Sequence, residues 1–188
     1  MADINFSASS ADPDSRSGEA RSPTPGQADL RWDIIELLFF AYRDFVSDPD
    51  AILEEIGFGR AHHRVIHFVG RDPGMTVQQL LDILRITKQS LGRVLKELID
   101  KGYVFQKEGE SDRRQRLLHL TEAGEALRQR LMAPQIARIR RAIAQSGSDT
   151  AHLYRMVLYN MVSPENRDSV RDWIDQVSVV GGPDGDRG

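Results

Sequence analysis

Residues 76–124 constrain the fold more strongly than any other part of the chain. They read, in succession, as a short apolar-patterned stretch, a tight turn at Arg85, a longer amphipathic stretch and two β-like stretches. Thr76 and Thr87 precede the two amphipathic stretches, where a threonine side chain caps a helix by accepting a backbone N–H bond. The sequence therefore predicts helices over 77–84 and 88–101, with Gly102 just beyond the second, at a position that favours glycine.

The predicted helix 88–101 has two chemically opposite faces. At about 100° per residue, Gln89, Arg93 and Lys96 fall within roughly 60° of one another. The opposite side carries Leu91, Val94, Leu95 and Leu98. A polar face on an isolated helix is usually only solvated. After a short helix and a tight turn, the same face is typical of a helix that enters a DNA major groove about 12 Å wide. The contacts predicted from it are Thr87, Lys88, Gln89, Ser90, Arg93 and Lys96.

The β-like stretches 103–107 and 116–121 predict a hairpin with a polar turn. Its tip would project Arg113 and Arg114, and arginine is favoured in a narrow minor groove because the negative potential is enhanced there. Asp112 could orient an arginine fork, whereas the alternative is a loose surface hairpin with ordinary ion pairs. The hairpin contacts predicted for DNA are Asp112, Arg113, Arg114 and Arg116. Helix, turn, helix and hairpin in this order predict a winged helix-turn-helix.

Two motifs in this segment resemble a known family. Asp112-x-Arg114 followed by Leu118-x-Leu120-Thr121-x-x-Gly124 resembles the wing signature of the MarR family of bacterial transcriptional regulators. The run from residue 87 to residue 104 is similar to the recognition helix of that family where it leads into the wing. The resemblance is close over about 60–124 and extends by pattern to the flanking helices.

The resemblance implies a fold and a mode of action. The fold would be mainly α with a small β-hairpin wing. A domain over 28–178 would hold the winged helix-turn-helix at about 60–121 and dimerisation helices at about 29–46 and 122–178. A dimer would insert its recognition helices into successive major grooves and its wings into the flanking minor grooves. Arg114 would be the wing arginine in the minor groove, with Asp112 as its orienting partner.

The outer helices carry more large apolar residues than one small core needs. A helix over 30–46 is predicted to stop or bend at 47–50, before a weak element at 51–58. It packs either within the core or against a second subunit, and the abundance of apolar residues favours the second. The residues predicted at a dimer interface are Trp32, Ile35, Phe39, Leu153, Met156, Val157, Trp173 and Ile174.

The C-terminal part is predicted to be helical throughout. Thr121 caps a long helix to about residue 145, which Pro134 should bend. Asp149 is predicted to cap a helix over 150–162, and Ser163 to cap a last helix that has Pro164 at its first position. That last helix should face inward through Val170, Trp173, Ile174 and Val177.

Charge is distributed unevenly along the chain. Residues 1–59 hold 4 basic and 12 acidic residues, a net charge of −8, whereas residues 85–120 hold 9 and 5, a net charge of +4. A positive segment in an acidic chain is expected when one face meets a polyanion. The terminal segments 1–27 and 179–188 are predicted to be disordered tails, since they offer too little apolar surface to offset the entropy of ordering. No membrane-spanning stretch or secretory signal occurs, and we expect a cytoplasmic protein.

Histidines supply the remaining candidate site. His63 and His67 stand four residues apart, but without cysteine or an accompanying His-x-x-Glu a packing or hydrogen-bonding role is favoured over a metal site. By resemblance, an effector pocket for an aromatic carboxylate or phenol would lie near Tyr42, Arg43, His63 and His67.

No catalytic motif, cofactor site or metal site is predicted. The sequence therefore favours a dimeric, sequence-specific DNA-binding transcriptional regulator of bacterial type, with a repressor as the preferred form. The alternative is a winged-helix module that binds another protein instead of DNA.

Overall fold

The computed structural model describes residues 32–109, 115–147 and 149–180, with side chains up to residue 176. The chain divides into two compact units, residues 1–38 and 39–188, and the first helix begins in one and continues into the other. The described elements are α1 Trp32–Glu54, α2 Arg60–Arg71, α3 Val77–Leu84, α4 Lys88–Asp100, β1 Val104–Glu108, β2 Arg116–Leu120, α5 Glu122–Ser146, α6 Thr150–Met161, a 3-10 turn Pro164–Asn166 and α7 Arg167–Val180.

This architecture confirms the predicted mainly α fold with a small hairpin. The predicted tail 1–27 and residues 181–188 of the other tail lie outside the described residues, and α7 extends to Val180, just past the predicted boundary at 179. None of the helices in the described ranges is long and apolar enough to cross a membrane.

One apolar core joins α2, α3, α4, the hairpin and the first half of α5. Each of these elements contributes side chains with 0% exposure: Val65, Ile66, Leu80, Leu91, Leu98, Leu118 and Leu131. Burying an aliphatic side chain of this size stabilises a fold by roughly 1.5–3 kcal/mol. The helix-turn-helix and its hairpin therefore share a core that a single chain completes.

The two helices of the helix-turn-helix begin as the sequence predicts. Thr76 Oγ1 accepts from the Gln79 N–H at 3.2 Å, and the Gln79 side chain accepts from the Thr76 N–H at 2.8 Å. Thr87 Oγ1 accepts from the Ser90 N–H at 3.2 Å. Gly102 follows α4 with φ of 75°, a left-handed conformation that glycine adopts without steric cost.

The hairpin is tied to the helix-turn-helix. β1 and β2 pair antiparallel from Val104 opposite Leu120 to Glu108 opposite Arg116. The chain before α3 extends this sheet: the Gly74 N–H donates to the Leu118 carbonyl at 2.8 Å, and the Leu118 N–H donates to the Met75 carbonyl at 2.9 Å. The wing is therefore held at its base by the chain that enters α3.

The motif Leu-Thr-x-x-Gly has a steric explanation at the start of α5. Thr121 Oγ1 accepts from the Gly124 N–H at 3.0 Å and donates to the Gly102 carbonyl at 2.6 Å, which confirms Thr121 as the helix cap. A Cβ atom on Gly124 would lie 2.0 Å from the Tyr103 carbonyl oxygen. Glycine is required because α5 starts in direct contact with the backbone that leaves α4.

The helix does not stop at 47–50, and the separate element predicted at 51–58 is wrong, whereas a bend at 47–50 stays a prediction. α1 continues through Pro49 to Glu54, and only the segment 55–58 leaves the helix. Proline lacks the N–H that would have bonded to the Phe45 carbonyl. The Gln135 side-chain amide of α5 donates to that carbonyl instead, at 3.2 Å, from a site only 5% exposed. A partner 90 residues away thus makes a proline tolerable inside this helix.

The C-terminal caps also differ from the prediction. α6 and the last helical segment start where expected, but the Asp149 and Ser163 side chains make no capping hydrogen bond. The Arg167 side chain, at the start of α7, donates to the carbonyls of Val162 at 2.9 Å and Asn160 at 2.6 Å. These bonds satisfy carbonyls at the end of α6, so the junction is held by arginine and not by serine or aspartate.

The last helix corrects one prediction, whereas the bend at Pro134 stays a prediction. α5 runs through Pro134 to Ser146 as one helix. On α7, Val170 and Trp173 are partly buried, but Ile174 is 38% exposed and does not face inward within this chain. The side chain of Val177 lies outside the described residues.

Candidate nucleic-acid interface

The two faces predicted for α4 are both present. Lys88, Gln89, Ser90, Arg93 and Lys96 are exposed, whereas Leu91, Val94, Leu95 and Leu98 are at most 5% exposed. The aliphatic face fixes the helix to the core, and the polar face is thereby directed outward, with Ile99 as an exposed apolar residue in the last turn.

Charges on the outer face of α4 differ in availability. Lys96 Nζ lies 2.5 Å from Asp100 Oδ2, and this hydrogen bond raises the pKa of Lys96. Lys88 and Arg93 have no ion-pair partner among the residues that the structure describes. These two cations are therefore free to meet phosphates or base edges, and Lys96 must first leave Asp100.

The hydroxyls at the start of α4 are partly engaged. Thr87 Oγ1 accepts from the Ser90 N–H and donates to Ser90 Oγ at 2.9 Å. Ser90 retains its own hydroxyl proton, so it can still donate to a phosphate. Thr87 is exposed, but its hydroxyl acts first as the helix cap.

Gly92 is a residue of this face that the sequence reading missed. It is exposed, it lies between Lys88 and Lys96 on the polar side of α4, and a Cβ there would meet nothing within 4 Å. Glycine costs about 1 kcal/mol relative to alanine inside a helix, and here no internal contact requires it. A glycine in a helix interior was the signal that could have identified this position.

His62 anchors α4 to α2. Its Nδ1 accepts from the Gly59 N–H at 3.1 Å, so Nε2 carries the proton that is donated to Glu97 Oε2 at 2.8 Å. The ring stacks on Phe58 with centroids 4.4 Å apart, and Lys101 Nζ lies 4.5 Å above the same phenyl ring. Within the described ranges no group of histidine and carboxylate side chains could hold a metal ion. His62 therefore has a packing and hydrogen-bonding role.

The structure describes the base of the wing but not its tip. Asp112, Arg113 and Arg114 lie outside the described residues. Arg116, at the start of β2, pairs with Glu108 at 2.9 Å. The outer side of the wing carries Phe105, stacked on His119 with centroids 5.3 Å apart.

A cavity of about 1000 Å³ opens beside the helix-turn-helix. It is bounded by α2, α3 and the junction between α6 and α7, and its lining includes His67, Phe68, Met75, Arg85, Asn166 and Trp173. Of the four residues predicted for an effector pocket, His67 lines this cavity. Tyr42, Arg43 and His63 do not: Tyr42 is 57% exposed, Arg43 pairs with Asp44 at 2.9 Å, and His63 is half-buried near Asp50.

Two polar atoms of the cavity wall lack partners. His67 Nδ1 and Trp173 Nε1 are buried without a hydrogen-bond partner among the described residues. Burial lowers the pKa of His67 to about 4, and nearby His63, Arg128 and Arg71 act in the same direction. The imidazole is therefore neutral at pH 7.

The residues predicted at a dimer interface are mostly exposed. In the first unit these are Trp32 and Ile35, and in the second they are Phe39, Leu153, Met156, Val157 and Ile174. Trp173 differs from them because it is partly buried and packs edge-on against Phe68 with centroids 5.2 Å apart. A cavity of about 550 Å³ between α6 and α7 is lined in part by Tyr154, Leu158 and Val170.

Comparisons with known proteins agree with this geometry. The model of the MarR family matches residues 56–115. The HTH-type transcriptional regulator PetP of Rhodobacter capsulatus is 49% identical over 133 residues, which cover 71% of this chain and 80% of PetP.

Solved structures share the fold at lower sequence identity. Streptococcus pneumoniae FabT, solved in complex with DNA, is 22% identical with a TM-score of 0.62, covering 69% of this chain and 93% of FabT. A MarR family protein of Mycobacterium tuberculosis, solved in complex with p-aminosalicylic acid, is 22% identical with a TM-score of 0.50, covering 69% of this chain and 98% of that one.

Proposed function

The chain belongs to the MarR family and is a DNA-binding transcriptional regulator, and from that membership we propose that it represses transcription as a homodimer on an imperfect palindromic operator. The observation that carries this proposal is the outer face of α4, where Lys88 and Arg93 lie beside Gln89 without an ion-pair partner in the described part of the chain. Arginine can pair bidentately with guanine and glutamine with adenine, and lysine can neutralise a phosphate. Because its partner is DNA, we infer that the protein acts in the compartment that holds the chromosome.

The DNA surface is tested by fluorescence anisotropy with the DNA upstream of the gene for this protein. Affinity should fall steeply with salt, because each neutralised phosphate releases counterions. Arg93→Ala should weaken binding by roughly 5- to 150-fold. Arg140→Ala, an exposed arginine on α5, is the matched control and should bind as the unmodified protein does.

The wing contribution is tested in the same assay. Arg114→Ala should also lower affinity, with the loss concentrated on operators that have A·T-rich flanks, because arginine prefers a narrow minor groove. Equal affinity of Arg93→Ala, Arg114→Ala and the unmodified protein would contradict this DNA surface. A complete absence of DNA binding would favour the alternative of a winged-helix module for another protein.

The homodimer is supported by the apolar surface of α6. This helix has no buried residue in the described chain, and its exposed large side chains include Leu153, Met156 and Val157. A surface of that kind usually belongs to an interface. Two recognition helices in such a dimer would meet half-sites about 34 Å apart. Sedimentation equilibrium should give twice the monomer mass, and a monomeric mass would contradict the proposal.

A small-molecule effector is supported by the cavity beside the helix-turn-helix. Trp173 Nε1 can donate to a carboxylate or phenolic oxygen, and neutral His67 can complete the contact. The first probe is p-aminosalicylic acid, which the M. tuberculosis protein holds in its solved structure. Calorimetry should detect binding that Trp173→Phe weakens, since phenylalanine keeps an aromatic ring but lacks the N–H. Equal affinity in the variant would exclude this site.

A further inference from the structure

Arg85 occupies an unusual position in the turn between α3 and α4. Its φ of 51° makes it the one residue other than glycine with a positive φ among those that the structure describes. Its backbone N–H donates to the Leu81 carbonyl at 2.8 Å, which closes α3, and Thr87 caps α4 two residues later. A glycine would adopt this left-handed conformation without steric cost, so the backbone alone does not explain an arginine here.

The side chain of Arg85 reaches a distant part of the chain. Its guanidinium donates to Asn166 Oδ1, 81 residues away, in the 3-10 turn that joins α6 to α7. Both residues border the same cavity. Arg85 thus links the turn that sets the direction of α4 to the helices proposed to pair two copies.

Asn166 is itself held firmly. Its N–H donates to the Ser163 carbonyl at 2.8 Å, and its carbonyl accepts from Ser169 Oγ at 2.9 Å. The adjacent Arg167 bonds to carbonyls at the end of α6. The backbone that carries the Asn166 amide is therefore an anchored part of the α6–α7 junction.

We infer that Arg85 is a positioning residue for DNA recognition, which sets the separation of the two recognition helices through its bond to Asn166. This inference rests on the proposed dimer on a palindromic operator. Half-sites on DNA have a defined spacing of about 34 Å per helical turn. A link between each α4 and the dimerisation helices restricts the spacings that the protein accepts, and without the link the dimer should tolerate more of them.

The test compares operators whose half-sites are moved apart or together by one base pair. Asn166→Ala removes the acceptor, and Arg85→Gly removes the side chain while still fitting the left-handed backbone. The unmodified protein should bind the shifted operators about tenfold more weakly, and each variant should reduce that difference to about threefold or less. The double variant should behave like either single variant, because the two residues act through one bond. Asn160→Ala on exposed α6 surface is the matched control and should keep the full discrimination.

Several outcomes would overturn the inference. Unchanged spacing discrimination in Asn166→Ala is one. Another is a salt slope reduced by about one in Arg85→Gly but not in Asn166→Ala, because that result identifies Arg85 as a direct phosphate contact. If the unmodified protein binds no operator, the proposed function fails and the inference fails with it. Normal operator binding together with unchanged discrimination overturns the inference alone.

Discussion

The winged helix-turn-helix and α6 are both rich in aliphatic residues, yet they bury them in opposite ways. α4 has four aliphatic side chains at most 5% exposed, and its outer face is polar except for Ile99, which is 37% exposed. α6 has no buried residue, and its side chains Leu153, Met156 and Val157 are each 45–53% exposed. The first region is completed by its own chain, whereas the second presents an apolar surface that a further chain can cover.

The two regions therefore depend on different contacts for their stability. A single amphipathic helix of 12 residues such as α6 gains its stability from packing and not from its own propensity. The helix-turn-helix already has that packing from α2, α5 and the hairpin. Substitutions in the winged region should therefore change folding or DNA contact, and substitutions in α6 should change association.

The largest effect is expected at Gly124, in the winged region. Gly124→Ala should destabilise the protein by about 4 kcal/mol, because the added methyl group would lie 2.0 Å from the backbone oxygen of Tyr103 and that backbone has little room to move. Chemical denaturation measures the loss. Gly59→Ala is the control, since a Cβ there meets nothing within 4 Å, and the loss of a favourable helix cap should cost no more than about 1 kcal/mol. Equal stability of the two variants would mean that α5 does not start against the Tyr103 carbonyl.

The next effect should appear in α6. Val157→Asp should weaken the dimer on the order of 100-fold, because it introduces an unpaired carboxylate into an apolar interface. The winged region should stay folded, since no α6 side chain is part of its core. Sedimentation and circular dichroism report association and folding separately. Asn160→Asp, at a polar exposed site on the same helix, is the charge-matched control. If Val157→Asp lost its fold as well as its ability to associate, the winged region would not be independent of α6.

The winged region was predictable from sequence because its signals are local. The caps at Thr76, Thr87 and Thr121 each act within three residues, and the two faces of α4 follow from a fixed helical period. The MarR family resemblance rested on the same short segment. The function was therefore available from sequence in outline.

The parts that sequence reasoning missed depend on distant partners. Pro49 predicted an interruption of the helix, but the Gln135 side chain donates to the Phe45 carbonyl, which proline leaves without a backbone donor. No residue near position 49 indicates this contact. The cavity beside the helix-turn-helix is built from three separate stretches of the chain. The sequence therefore indicated His67 as a pocket residue, but it gave no signal that Trp173 lines the same cavity. The bond between Arg85 and Asn166 spans 81 residues and has no sequence pattern.

A smaller effect is expected at His67, on the border between the two regions. Its pKa is lowered to about 4 in the folded protein, against 6.5 for an unperturbed histidine, so the unfolded chain binds a proton first as pH falls. Stability should therefore be full above pH 6.5 and decline towards pH 4, with a loss of about 2 kcal/mol between pH 7 and pH 5.

Denaturation midpoints at several pH values measure this loss. His67→Gln should reduce the slope but not abolish it, because burial lowers the pKa of His63 as well. A His67→Gln variant with the same slope as the unmodified protein would rule out a neutral, buried His67.

The smallest effect is expected at Gly92. It distinguishes the contribution of α4 to the fold from its proposed contribution to DNA contact. Gly92→Ala should stabilise the protein by roughly 0.5–1 kcal/mol, because alanine is the better helix former and the new methyl group meets no other atom of the chain. The same methyl group lies on the face that we propose enters the major groove, so it should hold the helix away from the base edges and lower operator affinity. A residue that serves only the fold would gain stability without losing affinity, whereas one that serves DNA contact should move the two quantities in opposite directions. Thermal denaturation and anisotropy on the same preparation decide between them, and a variant that is more stable and binds the operator equally well would remove Gly92 from the DNA surface.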